Sequence, residues 1–187
     1  MIATIEKTKT ITLEEFLQQP ETKPAQEFIN GVITPKPMPQ GQHSTIQSEL
    51  VSAINQITKA SKIAYAFPEL RCTSNKRSIV PDVAVFVWDR IPRTEKGRIA
   101  NRFDGLPDWS IEILSPDQSL MKVLDNLLFC SQNGTNLGWL INPEDETILV
   151  VFSDQKVKIF RDDNTLPVLD KIELNLTVND IFNWLNI

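Results

Sequence analysis

Two acidic residues stand inside strongly apolar segments of this chain. Asp82 follows Val80-Pro81 and precedes the run VAVFV, and Glu112 is centred in the segment WSIEIL at 109–114. A carboxylate buried in a sheet is costly unless a cation or hydrogen-bond donors compensate it. One interpretation is that both carboxylates share a divalent cation, because hard oxygen ligands from two neighbouring strands suit Mg²⁺. The alternative is that Asp82 caps a turn after Pro81 and that Glu112 pairs with a basic side chain or lies on an edge strand.

The chain has few of the residues that other kinds of catalytic centre require. His43 is the only histidine, and Cys72 and Cys130 are the only cysteines, which excludes a multi-histidine zinc site and a four-ligand structural one. A Ser-His-Asp triad would have to include His43. The chain contains none of the glycine-rich loops that cradle phosphates. If the protein is an enzyme, carboxylates and lysines must carry most of its chemistry.

The charge of the chain is unevenly distributed. The net charge is −5, yet residues 71–102 contain eight basic and three acidic residues. Such a segment is either a loop that faces phosphates or an ordinary solvated loop. The three basic residues Arg71, Lys76 and Arg77 are the candidates for phosphate contacts.

The pattern of apolar residues predicts the elements that must position these side chains. Thr12 and Glu15 predict a capped helix, Asn30-Gly31 predicts a β-hairpin, and Thr177 caps a last helix. We expect helices at 13–19, about 42–60, 118–132 and after 177, and strands at 26–34, 63–67, 79–88, 109–114, 137–141, 147–152 and 156–160. A long polar connection separates the strands of Asp82 and Glu112.

This order of elements predicts one α/β or α+β domain with a mixed sheet flanked by helices. Residues 1–10 read as a loose tail. No apolar stretch is long enough to span a membrane, and the N-terminus lacks the apolar core of a secretory signal. With two cysteines, a reduced cytoplasmic protein without a membrane partner is expected.

Several motifs together resemble those of the Uma-two family of bacterial restriction-endonuclease-like proteins. They are QEFING at 26–31, His43, IVPDVAVF at 79–86, WSIEILSP at 109–116, Gly134 and LGWLINP at 137–143. The resemblance covers about residues 10–185. It implies a PD-(D/E)XK nuclease fold, with a mixed central sheet flanked by helices, an extra C-terminal β-hairpin and helix, and a metal site at the hairpin that carries the two acids.

The resemblance assigns roles to individual residues. Asp82 matches the aspartate of the motif, Glu112 matches the acid that follows, and Glu27 matches an N-terminal glutamate that completes the acidic set. The motif lysine is missing, because Leu114 stands in its place. Many relatives carry an Asp and then a Lys four residues later on the following helix, where this chain has Lys122 and Asn126.

Lys122 is therefore the candidate for a lysine that has migrated by one helical turn, since residues four apart share a helix face. The alternative is that Lys122 is a solvated helix residue. The absent motif lysine leaves two functions open. One is a metal-dependent endonuclease, and the other is an inactive nuclease-fold protein that acts as a binding or assembly module.

The activity that the resemblance implies is hydrolysis of phosphodiester bonds in nucleic acid, with DNA the expected substrate. Asp82 and Glu112 would hold Mg²⁺ or Mn²⁺, with Glu27 as an additional or water-bridged ligand. Lys122 would orient water or stabilise charge on the phosphate. His43 either lines the cleft or is a structural residue. A homodimer is expected if both strands of a duplex are cut.

Overall fold

The computed structural model describes residues 11–116 and 118–187, and the predicted tail at 1–10 lies outside them. The described part contains two sheets and four α-helices. The helices are α1 Leu13–Leu17, α2 Gly41–Thr58, α3 Leu120–Gln132 and α4 Val178–Asn183. The strands are β1 Gln26–Ile29, β2 Val32–Pro35, β3 Ala64–Pro68, β4 Cys72–Ser74, β5 Arg77–Ile79, β6 Val83–Val87, β7 Trp109–Ile113, β8 Leu137–Asn142, β9 Thr147–Phe152 and β10 Val157–Phe160.

The larger sheet has six strands in the order β10-β9-β8-β7-β6-β3. Its strands pair antiparallel except for β7 and β8, which run parallel and are connected through α3. Trp109, Ile111 and Ile113 join the main core, to which α2 and α4 contribute, whereas α3 packs on β8 and β9 from the opposite face. The predicted mixed sheet flanked by helices is confirmed.

The smaller sheet has the order β2-β1-β5-β4. Its β1–β2 hairpin turns through Asn30 and Gly31, whose φ angles are 51° and 86°. Two consecutive residues with positive φ match the twist of a two-residue hairpin, which is why Asn-Gly predicted this turn correctly. The pairing of β1 with β5 links the hairpin to the segment that leads into β6.

The single strand expected at 79–88 is wrong, because the structure divides this segment between the two sheets. Ile79 ends β5 in the smaller sheet, and Val83 begins β6 in the larger one. Pro81 lies between them, and a proline has no N–H to donate to a strand ladder. The break places Asp82 at the junction of the sheets. The segment 71–78, which we expected to be a connection between strands, contains β4 (Cys72–Ser74) and the first two residues of β5 (Arg77–Ile79).

The remaining connections pack against the two sheets. Within the polar connection 89–107, Ile91, Phe103 and Leu106 are buried against β4 and β6. The predicted C-terminal hairpin is formed by β8 and β9, and β10 extends it. Thr177 and Asp180 form the predicted capping box of α4. No helix in the described ranges has both the length and the apolar character needed to cross a membrane.

Candidate functional site

Three acidic side chains come together where the two sheets meet, and we call Glu27, Asp82 and Glu112 the acidic cluster. Glu27 lies in β1, Asp82 immediately precedes β6, and Glu112 lies in β7 on the face opposite the main core. Their exposed fractions are 8%, 3% and 4%. The convergence of these three residues follows the prediction from sequence, and their burial requires a compensating cation or donors.

The ammonium of Lys36 compensates the cluster directly. Its Nζ lies 2.8 Å from Oδ1 of Asp82, 3.0 Å from Oε2 of Glu112 and 2.7 Å from the carbonyl oxygen of Val80. The Lys36 side chain is 12% exposed. The sequence did not point to this residue, because Lys36 lies in a proline-rich segment, 35–39, that interrupts the pattern of the predicted elements.

The register of the first hairpin contains the signal that could have identified Lys36. Glu27 pairs with Thr34 across the hairpin, so these two side chains share a face. Lys36 lies two residues beyond Thr34, and its N–H donates to the carbonyl oxygen of Ala25 at 2.8 Å, which continues the ladder. With a side-chain period of two, Lys36 falls on the same face as Glu27.

Asp82 is held by donors on every side of its carboxylate. Besides Lys36 at Oδ1, its Oδ2 accepts the main-chain N–H of Ile113 at 2.7 Å and lies 3.1 Å from Nε2 of His43. The side chain of Gln47 donates to the main-chain oxygen of Asp82 at 2.8 Å. Burial acts to raise the pKa of Asp82, but the Lys36 ammonium and the hydrogen bonds from His43 and Lys36 hold it below its ordinary value. Asp82 is therefore an ionised carboxylate at neutral pH.

The other two acids retain protons more readily. Burial raises the pKa of Glu112 to about 8, because the nearby Lys36 charge offsets only part of the desolvation and Asp82 and Glu27 repel a further negative charge. Burial also raises the pKa of Glu27, whose Oε1 accepts the N–H of Val80 at 2.8 Å. The pKa of Lys36 is raised by Asp82, Glu112 and Glu27 despite its burial, so the lysine stays charged.

One ammonium thus faces three carboxylates. The predicted divalent cation would compensate this excess of negative charge. The candidate metal ligands are carboxylate oxygens, which suit Mg²⁺. Oε1 of Glu112 and Oε2 of Glu27 accept no hydrogen bond from the described residues. With the side-chain conformations of residues 11–116 and 118–187, no group of three or more His, Cys, Asp or Glu is arranged to hold a metal ion. Mg²⁺ commonly uses one or two carboxylates and several waters, so the residues fit this ion.

The structure does not bring Lys122 to the acidic cluster. Lys122 is exposed in the first turn of α3, and none of its side-chain atoms pairs with the described acids. One turn later, Asn126 is buried and its Oδ1 lies 3.4 Å from Nη1 of Arg77. The lysine at the cluster is supplied by the first hairpin, which is distant from this helix in sequence.

The arginines proposed as phosphate contacts are engaged within the protein. Arg71 forms two hydrogen bonds with the carboxylate of Glu21, at 2.7 and 2.9 Å. Arg77 is buried, pairs with Asp125 at 3.0 Å, and stacks 4.3 Å above the ring of Phe129. Both therefore tie elements of the fold together. Lys76 is exposed in the turn between β4 and β5.

Two clefts lie near the acidic cluster, one lined in part by Asp82 and the other by His43. The first, of about 540 Å³, is lined by residues that include Lys36, Asp82 and Arg71. The second, of about 740 Å³, is lined by His43 together with the ends of β7 and β8. His43 thus lies at a cleft, and its ring also contacts the acidic cluster through Asp82.

Comparisons with known proteins give a family match and a similar solved structure. Residues 13–179 match the Uma2 family model, whose description is "Putative restriction endonuclease". The chain is also similar to a crystal structure from Anabaena variabilis ATCC 29413 of "a putative nuclease belonging to DUF820". The two chains are 54% identical, the match covers 94% of this chain and 99% of that chain, and the TM-score is 0.91. No curated protein matches the chain significantly.

Proposed function

The chain belongs to the Uma2 family, and from this nuclease-like character we propose that it is a metal-dependent endonuclease that hydrolyses phosphodiester bonds of DNA. One observation carries the proposal: the ammonium of Lys36 lies between Asp82 and Glu112 at the base of a cleft. This arrangement supplies in space the acid, acid and lysine set of a PD-(D/E)XK nuclease, although Leu114 replaces the lysine in sequence.

Asp82 and Glu112 would hold Mg²⁺ or Mn²⁺, and Glu27 would serve as an additional or water-bridged ligand. When bound, such an ion lowers the pKa of water and polarises a phosphate oxygen. Lys36 stays protonated, so its ammonium can orient the attacking water and stabilise the negative charge that develops on the phosphate. The donors from Ile113 and His43 hold the Asp82 carboxylate in place, which keeps the site ordered before substrate binds.

The proposal is tested by cleavage of supercoiled plasmid DNA in the presence of Mg²⁺ or Mn²⁺. We expect Asp82→Asn to abolish cleavage, because an amide cannot replace the ionised carboxylate. Asp104→Asn is the matched control, since Asp104 is exposed and pairs with Arg102 on the surface. Thermal unfolding shows whether each variant is folded. Cleavage retained by folded Asp82→Asn, or cleavage by wild type that persists in EDTA, would contradict the proposal.

A second function is favoured by the same ion pairs. Lys36 contacts both carboxylates directly, which is also how a purely structural ion-pair network is built. In that case the protein is an inactive nuclease-fold module that binds a partner. Absence of cleavage under all metal conditions, together with no calorimetric binding of Mn²⁺, would support this alternative.

A further inference from the structure

We propose that the 740 Å³ cleft beside His43 holds one unpaired base of the nucleic acid, next to the phosphate that is cleaved. We call it the β7–β8 cleft, because the segments that follow these two parallel strands form its walls with the start of α2. The inference depends on the proposed function in taking nucleic acid as the substrate. It goes beyond the proposed function by naming the part of the substrate that is recognised and the cleft that recognises it.

The ring of His43 supplies the first reason. Nε2 lies 3.1 Å from Oδ2 of Asp82, and an ionised carboxylate can only accept, so Nε2 carries the hydrogen. In the neutral ring, Nδ1 is then an acceptor. This atom is buried and has no hydrogen-bond partner among residues 11–116 and 118–187, although His43 is only 7% exposed. A buried acceptor without a partner is unfavourable. Because His43 lines the cleft, a ligand that donates an N–H or O–H group to Nδ1 would remove this cost.

Gln118 adds a donor to the same cleft. Its Oε1 accepts the N–H of Ser115 at 3.2 Å, which leaves the amide NH₂ group without an acceptor among the described residues. The first turn of α2 adds further N–H groups, because Gln40 at the N-cap makes no side-chain cap. The cleft therefore presents an acceptor and several donors, which complements the mixed edge of a nucleobase.

The rest of the lining favours a base over a phosphate. Leu114, Pro116 and Pro143 provide apolar surfaces against which a flat ring can pack. Among the described residues of the lining there is no Lys or Arg, and the charged side chain there is the acidic Glu144. An anion would find no compensating cation here, whereas a neutral heterocycle meets both apolar contacts and hydrogen-bonding groups.

The cleft also lies where a base near the cleaved bond would be. His43 lines the cleft and contacts Asp82 in the acidic cluster, so one side chain links the two sites. A base inside a duplex is stacked and cannot enter such a cleft. The ligand is therefore a single-stranded or unpaired base.

The test measures binding of fluorescein-labelled single-stranded 12-mers of dA, dC, dG and dT in the absence of divalent ions, by fluorescence anisotropy. Homopolymers place the same base in the cleft in any register. For wild type we expect about a tenfold difference in Kd between the tightest and the weakest 12-mer, as a well-paired base contact provides. Two variants, Gln118→Ala and His43→Gln, should each bring the four affinities to within about threefold. The glutamine in the second variant retains a donor near the position of Nε2 but lacks an acceptor at Nδ1.

Gln56→Ala is the matched control, because Gln56 is exposed on α2 and does not line the cleft. It should keep the wild-type discrimination. Equal affinity of wild type for the four 12-mers, or discrimination retained in both cleft variants, would overturn the inference. Either result leaves the proposed function intact if plasmid cleavage still depends on Asp82. Discrimination that disappears in the cleft variants supports the inference even if no cleavage is found.

Discussion

Lys36 is the single residue on which the charge balance of the acidic cluster depends. Its ammonium contacts two buried carboxylates that are 46 and 76 residues away in sequence. Because the lysine is buried among acids, it remains charged over the pH range in which the protein is folded. A permanently charged group at this position is suited to stabilising charge on a phosphate.

We predict that Lys36→Met reduces the single-turnover rate of DNA cleavage by about 10²- to 10³-fold, the usual effect of removing one preorganised electrostatic contact. Lys122→Met should leave the rate within about twofold, because Lys122 is exposed on α3 and surface substitutions usually have small effects. Rates are measured below the unfolding temperature of each variant. The reverse order of effects would assign the catalytic lysine to position 122.

A second prediction at this scale concerns Glu112 and pH. Its pKa is raised from 4.5 to about 8 in the folded protein, so between these values the folded state binds a proton that the unfolded state has lost. The contribution of Glu112 to stability is therefore complete below pH 4.5 and is lost as pH rises towards 8. The slope is at most about 1.4 kcal/mol per pH unit.

Urea denaturation at pH 5.5, 6.5 and 7.5 measures this slope. Asp82 does not mask the slope due to Glu112. The pKa of Asp82 is lowered, so its contribution to stability changes only at acidic pH, where it is lost as pH falls. In Glu112→Gln the free energy of unfolding should fall less steeply with pH over this window, and the remaining slope is that of Glu27, whose pKa is also raised. A slope that is unchanged in the variant would mean that another group titrates.

At the scale of elements, the β1–β2 hairpin determines where the lysine lies. The two-residue turn sets the register in which Glu27 pairs with Thr34, and this register places Lys36 on the face of the acidic cluster. A shift of one residue would direct every side chain of the strand to the opposite face. The turn is thus coupled to the chemistry of the site through strand pairing.

We predict that Gly31→Ala lowers the free energy of unfolding by about 1–2 kcal/mol, because Gly31 has a φ of 86° and a Cβ is unfavourable there. Gly41→Ala is the matched control. Gly41 begins α2, and a Cβ added to it meets no atom within 4 Å. It should leave stability within about 0.5 kcal/mol or raise it. Equal losses in the two variants in urea denaturation would remove the argument from positive φ.

For the molecule as a whole, a bound divalent ion should stabilise the fold, because the unfolded chain does not hold the three carboxylates together. At about 100 times its Kd, Mn²⁺ should raise the Tm by about 5 °C or more at pH 8. The rise should be smaller at pH 5.5, since protons on Glu112 and Glu27 compete with the ion.

Differential scanning fluorimetry with and without Mn²⁺ measures this effect. The control is Asp82→Asn, in which the rise should disappear, while Asp104→Asn should keep it. An equal rise in wild type and Asp82→Asn would place the ion elsewhere on a chain whose net charge is −5.

Much of the fold was predictable because its signals are local. Apolar periodicity and capping residues identified the helices and most strands, and Asn30-Gly31 identified the hairpin turn. Because side chains alternate along a strand, the sequence also determines that Glu112 lies on the face opposite Ile111 and Ile113, as the structure shows. The division of 79–88 between two sheets was not predicted, because a continuous apolar run does not show which sheet each half joins.

The candidate site, too, was in part predictable from the sequence and in part not. The types and apolar surroundings of Asp82 and Glu112 were sufficient to predict that they are buried and need a positive charge, since an unpaired carboxylate is too costly in a sheet. Which cation supplies that charge depends on distances between residues far apart in sequence. Only the folded structure, which brings the end of the first hairpin to Asp82 and Glu112, decided that Lys36 fills this place and that Lys122 is exposed.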